Sequence, residues 1–275
     1  MIEEEKKQRS PATIIISVFL ISGAALFILF IMYLQNDSYS DDAPVARHDK
    51  ISWSAPQNDN LLNRNVATEA REKYTTILGD GEDTVTVMLY LCGSNLESEY
   101  GICTTILNTL KKHVDGNHIN MIVCTGGASE WKTKEISSNR NQIYRIHDGK
   151  MEREVSSLTS KPMTNPDTLT TFIRWTDKNY PGNRRILIFS DHGGSEGFGW
   201  DERYRNDSPM SLGEMKNALE QAGVKFDFVG FDACLLGTLE MGLMLSDYAD
   251  YMIAAEGILG SVSYDDWHYT EPHWD

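Results

Sequence analysis

The amino-acid sequence predicts an α/β fold in which a mostly parallel β-sheet is covered by helices on both faces. The first observation is that strand patterns alternate with helical patterns from residue 83 onward. The second is that three segments are apolar at almost every position, as expected of strands buried on both faces: Thr84–Cys92, Ile119–Thr125 and Arg185–Ser190. Functional residues of such sheets collect beyond the carboxyl ends of the strands.

The other elements follow in a regular order. Two more core strands are predicted at Phe226–Phe231 and Tyr251–Ala255. Gln142–Ile146 and Met151–Val155 form an edge hairpin, because Asp148-Gly149 between them favours a tight turn. The helical patterns are Leu96–His113, Asp167–Tyr180, Ser211–Gly223 and Leu236–Ser246. In the third of these, Ser211 and Glu214 have capping-box spacing.

An uncharged apolar run near the N-terminus predicts a membrane anchor. Pro11–Leu34 contains no charged residue, and about 20 apolar residues are enough to span a bilayer as a helix. Lys6, Lys7 and Arg9 precede the run and acidic residues follow it, which places the N-terminus in the cytoplasm. A cleaved signal peptide is the alternative, and it leaves the same residues outside the membrane.

The domain organisation follows from this anchor. We expect residues 1–10 to be a cytoplasmic tail, residues 11–34 the transmembrane segment and residues 35–82 a polar stalk. Residues 83–275 then form an extracytoplasmic α/β domain attached to the cell membrane by a single pass.

Composition excludes several classes of function. The 275 residues include 40 acidic and 25 basic side chains, for a net charge of −15. Nucleic acid is therefore not an expected partner, because phosphates require a basic surface. Four cysteines are too few for a disulfide scaffold, and no cysteine or histidine spacing predicts a zinc site.

Polar clusters follow two of the buried strands. His192 and Gly193 come after the third core strand, and Asp232 and Cys234 after the fourth. A thiolate is an effective nucleophile, and a nearby imidazole can take its proton. The N–H groups of Gly193 and Cys234 could stabilise an oxyanion. Asp232 lies two residues before Cys234, on the same strand face, where a carboxylate favours a cationic side chain.

Each of these residues also has a structural explanation when taken alone. A buried cysteine is usually inert, a histidine at a strand end is usually a surface or core residue, and paired glycines often form only a turn. Their joint occurrence at matching strand ends favours the catalytic interpretation.

Two longer motifs carry a resemblance to a known family. Ile188–Trp200 (IFSDHGGSEGFGW) and Val229–Met241 (VGFDACLLGTLEM) resemble the histidine and cysteine motifs of clostripain-like cysteine peptidases. Val87–Ser98 (VMLYLCGSNLES) resembles the first strand of that family and its continuation. The likeness extends from about Thr84 to Tyr269, and the pair of motifs is more specific than either alone.

The resemblance implies a caspase-like three-layer sandwich over residues 83–275. It implies that His192 is the catalytic base, Cys234 the nucleophile and Asp232 the residue that selects Arg or Lys, with Gly193 and Cys234 as oxyanion donors. Since caspase-like sheets usually have a sixth strand after the fifth, it also implies either that the sequence is a fragment or that the domain is C-terminally incomplete.

The resemblance further implies a possible calcium requirement and processing within a loop near the site. Asp201, Glu202 and Asp207 are the candidate calcium ligands, although their spacing matches no calcium loop. The candidate cleavage points lie between the two motifs, at Arg203, Arg205, Lys216 and Lys225, and the first two are expected to be more exposed because of their loop context.

The leading interpretation is a membrane-anchored, extracytoplasmic cysteine endopeptidase that cleaves after Arg or Lys. Its expected partners are peptides or proteins with basic residues, and the membrane through the N-terminal helix. A catalytically silent surface-binding module of the same fold is one alternative, and a thiol transpeptidase using the same two residues is another.

Overall fold

The computed structural model describes residues 82–117, 119–204, 206 and 208–259. Most of its strands belong to one sheet: β1 (Val85–Cys92), β2 (Ile119–Gly126), β3 (Gln142–His147), β4 (Lys150–Val155), β5 (Arg184–Ser190), β8 (Phe226–Asp232) and β9 (Ala249–Ile253). A separate small hairpin is formed by β6 (Gly193–Gly194) and β7 (Gly197–Phe198).

The sheet is mostly parallel, which confirms the predicted fold class. Its strand order is β4-β3-β2-β1-β5-β8-β9. The neighbouring pairs β2–β1, β1–β5, β5–β8 and β8–β9 are parallel, and the antiparallel hairpin β3–β4 lies at one edge. The hairpin turn is the predicted Asp148-Gly149, with φ angles of +46° and +76°. The carboxyl ends of the five core strands therefore meet at one edge of the sheet.

Helices cover both faces of the sheet. The helices are α1 (Ser94–Ser98), α2 (Ile102–His113), α3 (Pro166–Asn179), α4 (Leu212–Ala222) and α5 (Leu239–Leu245). The buried residues of α2 pack with Val87, Leu89 and Val123 on one face. The helices α3, α4 and α5 contribute to the core on the other face, together with Tyr90 and Phe189.

The prediction of one continuous helix at Leu96–His113 is wrong, because the structure has two helices there, α1 and α2. Gly101 lies between them with a φ of +66°, a left-handed conformation that ends one helix and that glycine adopts without strain. The buried carboxylate of Glu97 then accepts hydrogen bonds from the backbone N–H and the hydroxyl of Thr104, which fixes the first turn of α2.

Two further boundaries differ from the prediction. The helix expected at Leu236–Ser246 begins only at Leu239, because Leu235 has a φ of +59° and Thr238 is the residue that caps the helix. The strand expected at Tyr251–Ala255 is β9, which starts two residues earlier and exposes Tyr251 and Ile253 on one face.

The predicted membrane anchor, Pro11–Leu34, and the stalk lie outside the described residues. Within the part of the chain that the structure describes, no helix has the length and apolar character needed to cross a bilayer.

The capping box of α4 gives a test of local stability. The hydroxyl of Ser211 accepts from the N–H of Glu214, and the Glu214 carboxylate accepts from the N–H of Ser211. We expect Ser211→Ala to lower the free energy of unfolding by about 1 kcal/mol, measured by denaturant titration. Lys216→Ala, at an exposed position of the same helix, is the control and should change it by less than about 0.5 kcal/mol. Equal effects of the two substitutions would contradict the role of the cap.

Candidate active site

Three adjacent strands carry the residues of the candidate site. The order β1-β5-β8 places the segments that follow Cys92, Ser190 and Asp232 side by side. The chain leaves β1 toward β2 on one side and later adds β5 on the other, so the crevice between β1 and β5 is a topological switch point. Such points are where ligands bind in open α/β sheets.

A close backbone contact joins the His192 loop to the Cys234 turn. In the β5–β8 register, Ser190 pairs with Asp232, and His192 and Cys234 each lie two residues further on. A Cβ atom added to Gly193 would lie 2.2 Å from the carbonyl oxygen and 3.1 Å from the nitrogen of Cys234. The structure therefore brings together the segments of His192, Gly193, Asp232 and Cys234, as the sequence predicts.

His192 has a hydrogen-bond partner that sequence analysis missed. Its Nε2 atom lies 2.7 Å from Oδ1 of Asn95, which follows β1. The indole ring of Trp200 lies beside the imidazole, with the two ring centroids 6.3 Å apart. A cleft of about 380 Å³ opens next to this histidine and is lined mainly by the β6–β7 hairpin and Trp200.

Asp191 is a buried acceptor directly before His192. One carboxylate oxygen accepts from the hydroxyl of Ser94 at 2.6 Å, and the other accepts from the N–H of Trp200 at 2.6 Å. Burial raises the pKa of Asp191 to about 6, although these hydrogen bonds act in the opposite direction. Asp191 is 4% exposed and Ser94 is fully buried, so the bond between their side chains lies inside the protein.

Asp232 is partly buried and has fewer hydrogen-bond partners than Asp191. Its carboxylate accepts a long hydrogen bond, 3.4 Å, from the hydroxyl of Ser190 on the neighbouring strand. Burial raises the pKa of Asp232 to about 6, with the Ser190 hydroxyl acting against that change. A negative charge in this position is poorly stabilised by the protein alone and favours a cationic group that enters beside it.

Cys234 differs from the other three cysteines of the chain. Cys92, Cys103 and Cys124 are free and buried, and burial raises the pKa of each thiol, as expected of core residues. Cys234 is partly exposed and its Sγ atom accepts from the N–H of Leu259 at 3.3 Å. The sulfur also lies 3.6 Å from the Leu259 carbonyl oxygen, so the segment after β9 is in contact with the thiol.

The turn at Cys234 depends on residues from that same segment. Leu235 has a left-handed φ of +59°, and its N–H donates to the carbonyl of Gly257 at 3.0 Å. The N–H of Gly237 donates to the carbonyl of Ala255 at 2.8 Å. These bonds hold the chain in the sharp turn that leaves Cys234 between β8 and α5.

The candidate calcium ligands have other partners. Asp201 accepts from Nε of Arg203 at 2.8 Å and from the N–H of Met163 at 2.9 Å. Glu202 accepts from the hydroxyls of Ser98 and Ser129. Asp207 lies outside the described residues, and within those residues no group of three His, Cys, Asp or Glu side chains could hold a metal ion. Asp201 and Glu202 therefore already have hydrogen-bond partners within the protein.

The candidate cleavage points differ in accessibility. The Arg203 side chain is 12% exposed and bridges Asp201 and Asn141, so the expected exposure of this residue is wrong. Lys216 lies within α4, and Lys225 pairs with Asp250. Arg205 is not among the described residues.

Comparison with known proteins assigns the family. The sequence model of the clostripain family, Peptidase C11, matches residues 89–266 and so covers more than half of the chain. The chain belongs to the clostripain family. This confirms the resemblance carried by the two motifs around His192 and Cys234.

Two similar proteins are informative about this clostripain-family chain. Clostripain of Hathewaya histolytica is 25% identical, over 57% of this chain and 35% of that protein. The solved structure of a secreted C11 cysteine protease from Bacteroides thetaiotaomicron, in complex with an irreversible peptide inhibitor, has a TM-score of 0.50 and 20% identity. That match covers 64% of this chain and 50% of the other, and it supports the fold. The chain thus spans between a third and a half of the length of these relatives.

The contact between Gly193 and Cys234 can be tested by adding a methyl group. Gly193→Ala places its Cβ against a backbone carbonyl that cannot rotate away. We expect a loss of about 1–3 kcal/mol in the free energy of unfolding, because the two segments must separate. Gly194→Ala is the matched control, since its Cβ would meet no atom within 4 Å. A similar loss in both variants would show that the contact is not specific.

The raised pKa of the partly buried Asp232 carboxyl predicts a pH-dependent stability. Because its pKa is raised to about 6, the folded protein holds the proton at pH values where the unfolded chain has lost it. The favourable contribution is complete below the unfolded value of about 4 and is lost as the pH rises through about 6. Asp232→Asn should therefore increase the free energy of unfolding by about 1–2 kcal/mol at pH 7.5, and by little at pH 4.

This prediction is measured by denaturant titration of both proteins at several pH values. Asp115→Asn, at an exposed carboxylate, is the control and should show no such pH-dependent gain. A gain for Asp232→Asn that has the same size at pH 4 and pH 7.5 would contradict the buried-charge explanation.

Proposed function

We propose that this clostripain-family protein is a membrane-anchored, extracytoplasmic cysteine endopeptidase that cleaves peptide bonds after Arg or Lys. The observation that carries the proposal is the contact between Gly193 and the backbone of Cys234, which joins a histidine loop to a cysteine turn at the ends of β5 and β8. The finer description of the fold, a caspase-like three-layer sandwich, is supported by the helices on both faces of the sheet.

Cys234 and His192 are the proposed catalytic dyad. The imidazole takes the thiol proton, and the thiolate attacks the substrate carbonyl to form a tetrahedral intermediate. The N–H groups of Gly193 and Cys234 donate to its oxyanion. The C–N bond then breaks as the imidazolium protonates the leaving amine. Water, deprotonated by His192, attacks the thioester, which releases the carboxylic acid and restores the thiol.

Asp232 is the proposed source of specificity for Arg and Lys. A cationic side chain beside this carboxylate would replace the charge stabilisation that burial removes. The site then has a lower free energy with a basic substrate than without one. A neutral or acidic substrate side chain gives no such gain and leaves the carboxylate uncompensated.

The membrane location is supported by the sequence. Pro11–Leu34 is uncharged and long enough to span a bilayer, and the basic residues precede it. The proposed organisation is a cytoplasmic tail (residues 1–10), an anchor (11–34), a stalk (35–82) and the peptidase domain (83–275). Cleavage of the apolar run as a signal peptide would leave the same domain outside the membrane.

One observation favours the alternative of a catalytically silent binding module. The Sγ atom of Cys234 is in contact with the N–H and the carbonyl of Leu259, which occupy part of the space around the sulfur. A module of this kind would still recognise basic partners through Asp232, and it would not cleave them.

The experiment uses the full chain in detergent and fluorogenic peptides that end in Arg, Lys or Asp. We expect cleavage of the Arg and Lys peptides, its complete loss in Cys234→Ala, and unchanged circular dichroism in that variant. Asp232→Asn should lower kcat/KM for these peptides by about 100-fold, because a desolvated charge pair is lost. Glu220→Gln, an exposed carboxylate on α4, is the charge-matched control and should have no effect.

The other outcomes separate the alternatives. Cleavage of the Asp peptide alone would retain the nucleophile and exclude the role of Asp232. Binding of Arg peptides by a folded protein without any cleavage would favour the binding module. Transfer of the acyl group to an added amine, in preference to water, would identify a transpeptidase.

A further inference from the structure

The contact between His192 and Asn95 determines which imidazole nitrogen can act as a base. Oδ1 of Asn95 is a carbonyl oxygen and can only accept, so the Nε2 atom 2.7 Å away carries the proton of the bond. In the neutral ring, Nδ1 is then the nitrogen that is free of a proton. The base that accepts the thiol proton is therefore Nδ1, and Asn95 selects this tautomer.

The same bond stabilises the charged ring. When Nδ1 takes a proton, the imidazolium has two N–H groups, and the Asn95 oxygen remains the acceptor for one of them. A hydrogen bond to the charged form of a group favours that form. Asn95 carries no charge of its own, so it orients the ring and stabilises the imidazolium without neutralising it.

Asn95 is itself held by the protein. The preceding residue, Ser94, has a left-handed φ of +44° and is fully buried. Its hydroxyl donates to Asp191, and this bond fixes an unfavourable backbone conformation directly beside Asn95. The second oxygen of Asp191 holds the N–H of Trp200, whose ring lies beside the imidazole.

One buried carboxylate thus connects both neighbours of His192. Asp191 contacts the segment of Asn95 through one oxygen and the segment of Trp200 through the other. Since both oxygens accept from these groups, the carboxylate supports the neighbours of the imidazole, and the amide of Asn95 is the group that contacts the ring.

We propose that Asn95 is a positioning residue of the active site, which orients His192 and fixes its tautomer, and that Asp191 holds Asn95 in place through Ser94. This inference rests on the proposed function, because the orientation of His192 matters only if the imidazole acts as a base.

The test compares Asn95→Ala and Asn95→Asp in the full-length protein. For each variant, the rate of Cys234 alkylation by iodoacetamide is measured from pH 4 to pH 10, together with kcat and KM for an Arg peptide. In Asn95→Ala, the imidazolium loses an acceptor, so the alkaline limb of the kcat/KM profile, where the imidazolium loses its proton, should move down by about one pH unit. In Asn95→Asp, a negative charge is added, and that limb should move up by a similar amount.

The kinetic constants provide a second readout. We expect kcat to fall by about 10- to 100-fold in Asn95→Ala while KM changes by less than about threefold, because the ring is misoriented and substrate contacts are kept. Ser94→Ala should give a smaller fall in kcat of the same kind. Asn217→Ala, at an exposed position on α4, is the control and should match the parent protein.

The outcomes distinguish this inference from the proposed function. If the alkylation profile of the parent protein is the same as that of His192→Ala, the dyad is absent and both fail. If the parent profile depends on His192 and the two Asn95 variants reproduce it, only the positioning role is excluded. If Asn95→Ala fails to fold, as judged by circular dichroism, the direction of the shift in Asn95→Asp decides.

Discussion

The parallel register between β5 and β8 is the constraint on which the candidate site depends. Pairing of Ser190 with Asp232 sends the two chains past the edge of the sheet at the same level. The loops can then touch only where one of them has no side chain, and Gly193 is at that place. A shift of one residue in the register would turn Asp232 to the opposite face and move His192 away from Cys234.

Asp191, which is buried, and Asp232, which is partly buried, contribute to this geometry in different ways. The pKa of each is raised to about 6 by burial, yet Asp191 has hydrogen bonds of 2.6 Å to two partners and Asp232 a long bond to Ser190. The hydrogen bonds of Asp191 offset part of the cost of its desolvation, and they hold the residues on both sides of His192 in place. The desolvation of Asp232 is only partly offset by its hydrogen bond, and a cationic ligand would reduce the remaining free-energy cost. Such a cost is common at sites where stability is lower for the sake of function.

Much of the fold could be predicted from local patterns. The core strands β1, β2, β5 and β8 are apolar runs of sufficient length, and the Asp148-Gly149 turn and the Ser211 capping box have short-range signatures. The division of the predicted helix at Gly101 and the late start of α5 could not be predicted. Both depend on contacts between segments that are distant in the chain: the Glu97 carboxylate also accepts from the N–H of Lys132, and the N–H of Leu235 donates to the carbonyl of Gly257.

Some residues of the candidate site could likewise be predicted from the sequence, and others could not. Strand ends and motif residues in the sequence are sufficient to indicate His192, Gly193, Asp232 and Cys234. Asn95 was missed because an asparagine after a strand usually indicates a turn. Its proximity to His192 depends on β1 lying next to β5. The apolar pattern predicts that these strands exist, but it does not predict their order in the sheet. The resemblance of Val87–Ser98 to the family was the one signal that included Asn95.

The segment after β9 links the edge of the sheet to Cys234, the proposed nucleophile. Gly257 and Ala255 accept the hydrogen bonds that hold the turn at Leu235 and Gly237, and Leu259 contacts the sulfur itself. The backbone of Leu259 occupies space near the sulfur, so any group that approaches Cys234 from that side competes with it. The position of this segment therefore influences how accessible the sulfur of Cys234 is.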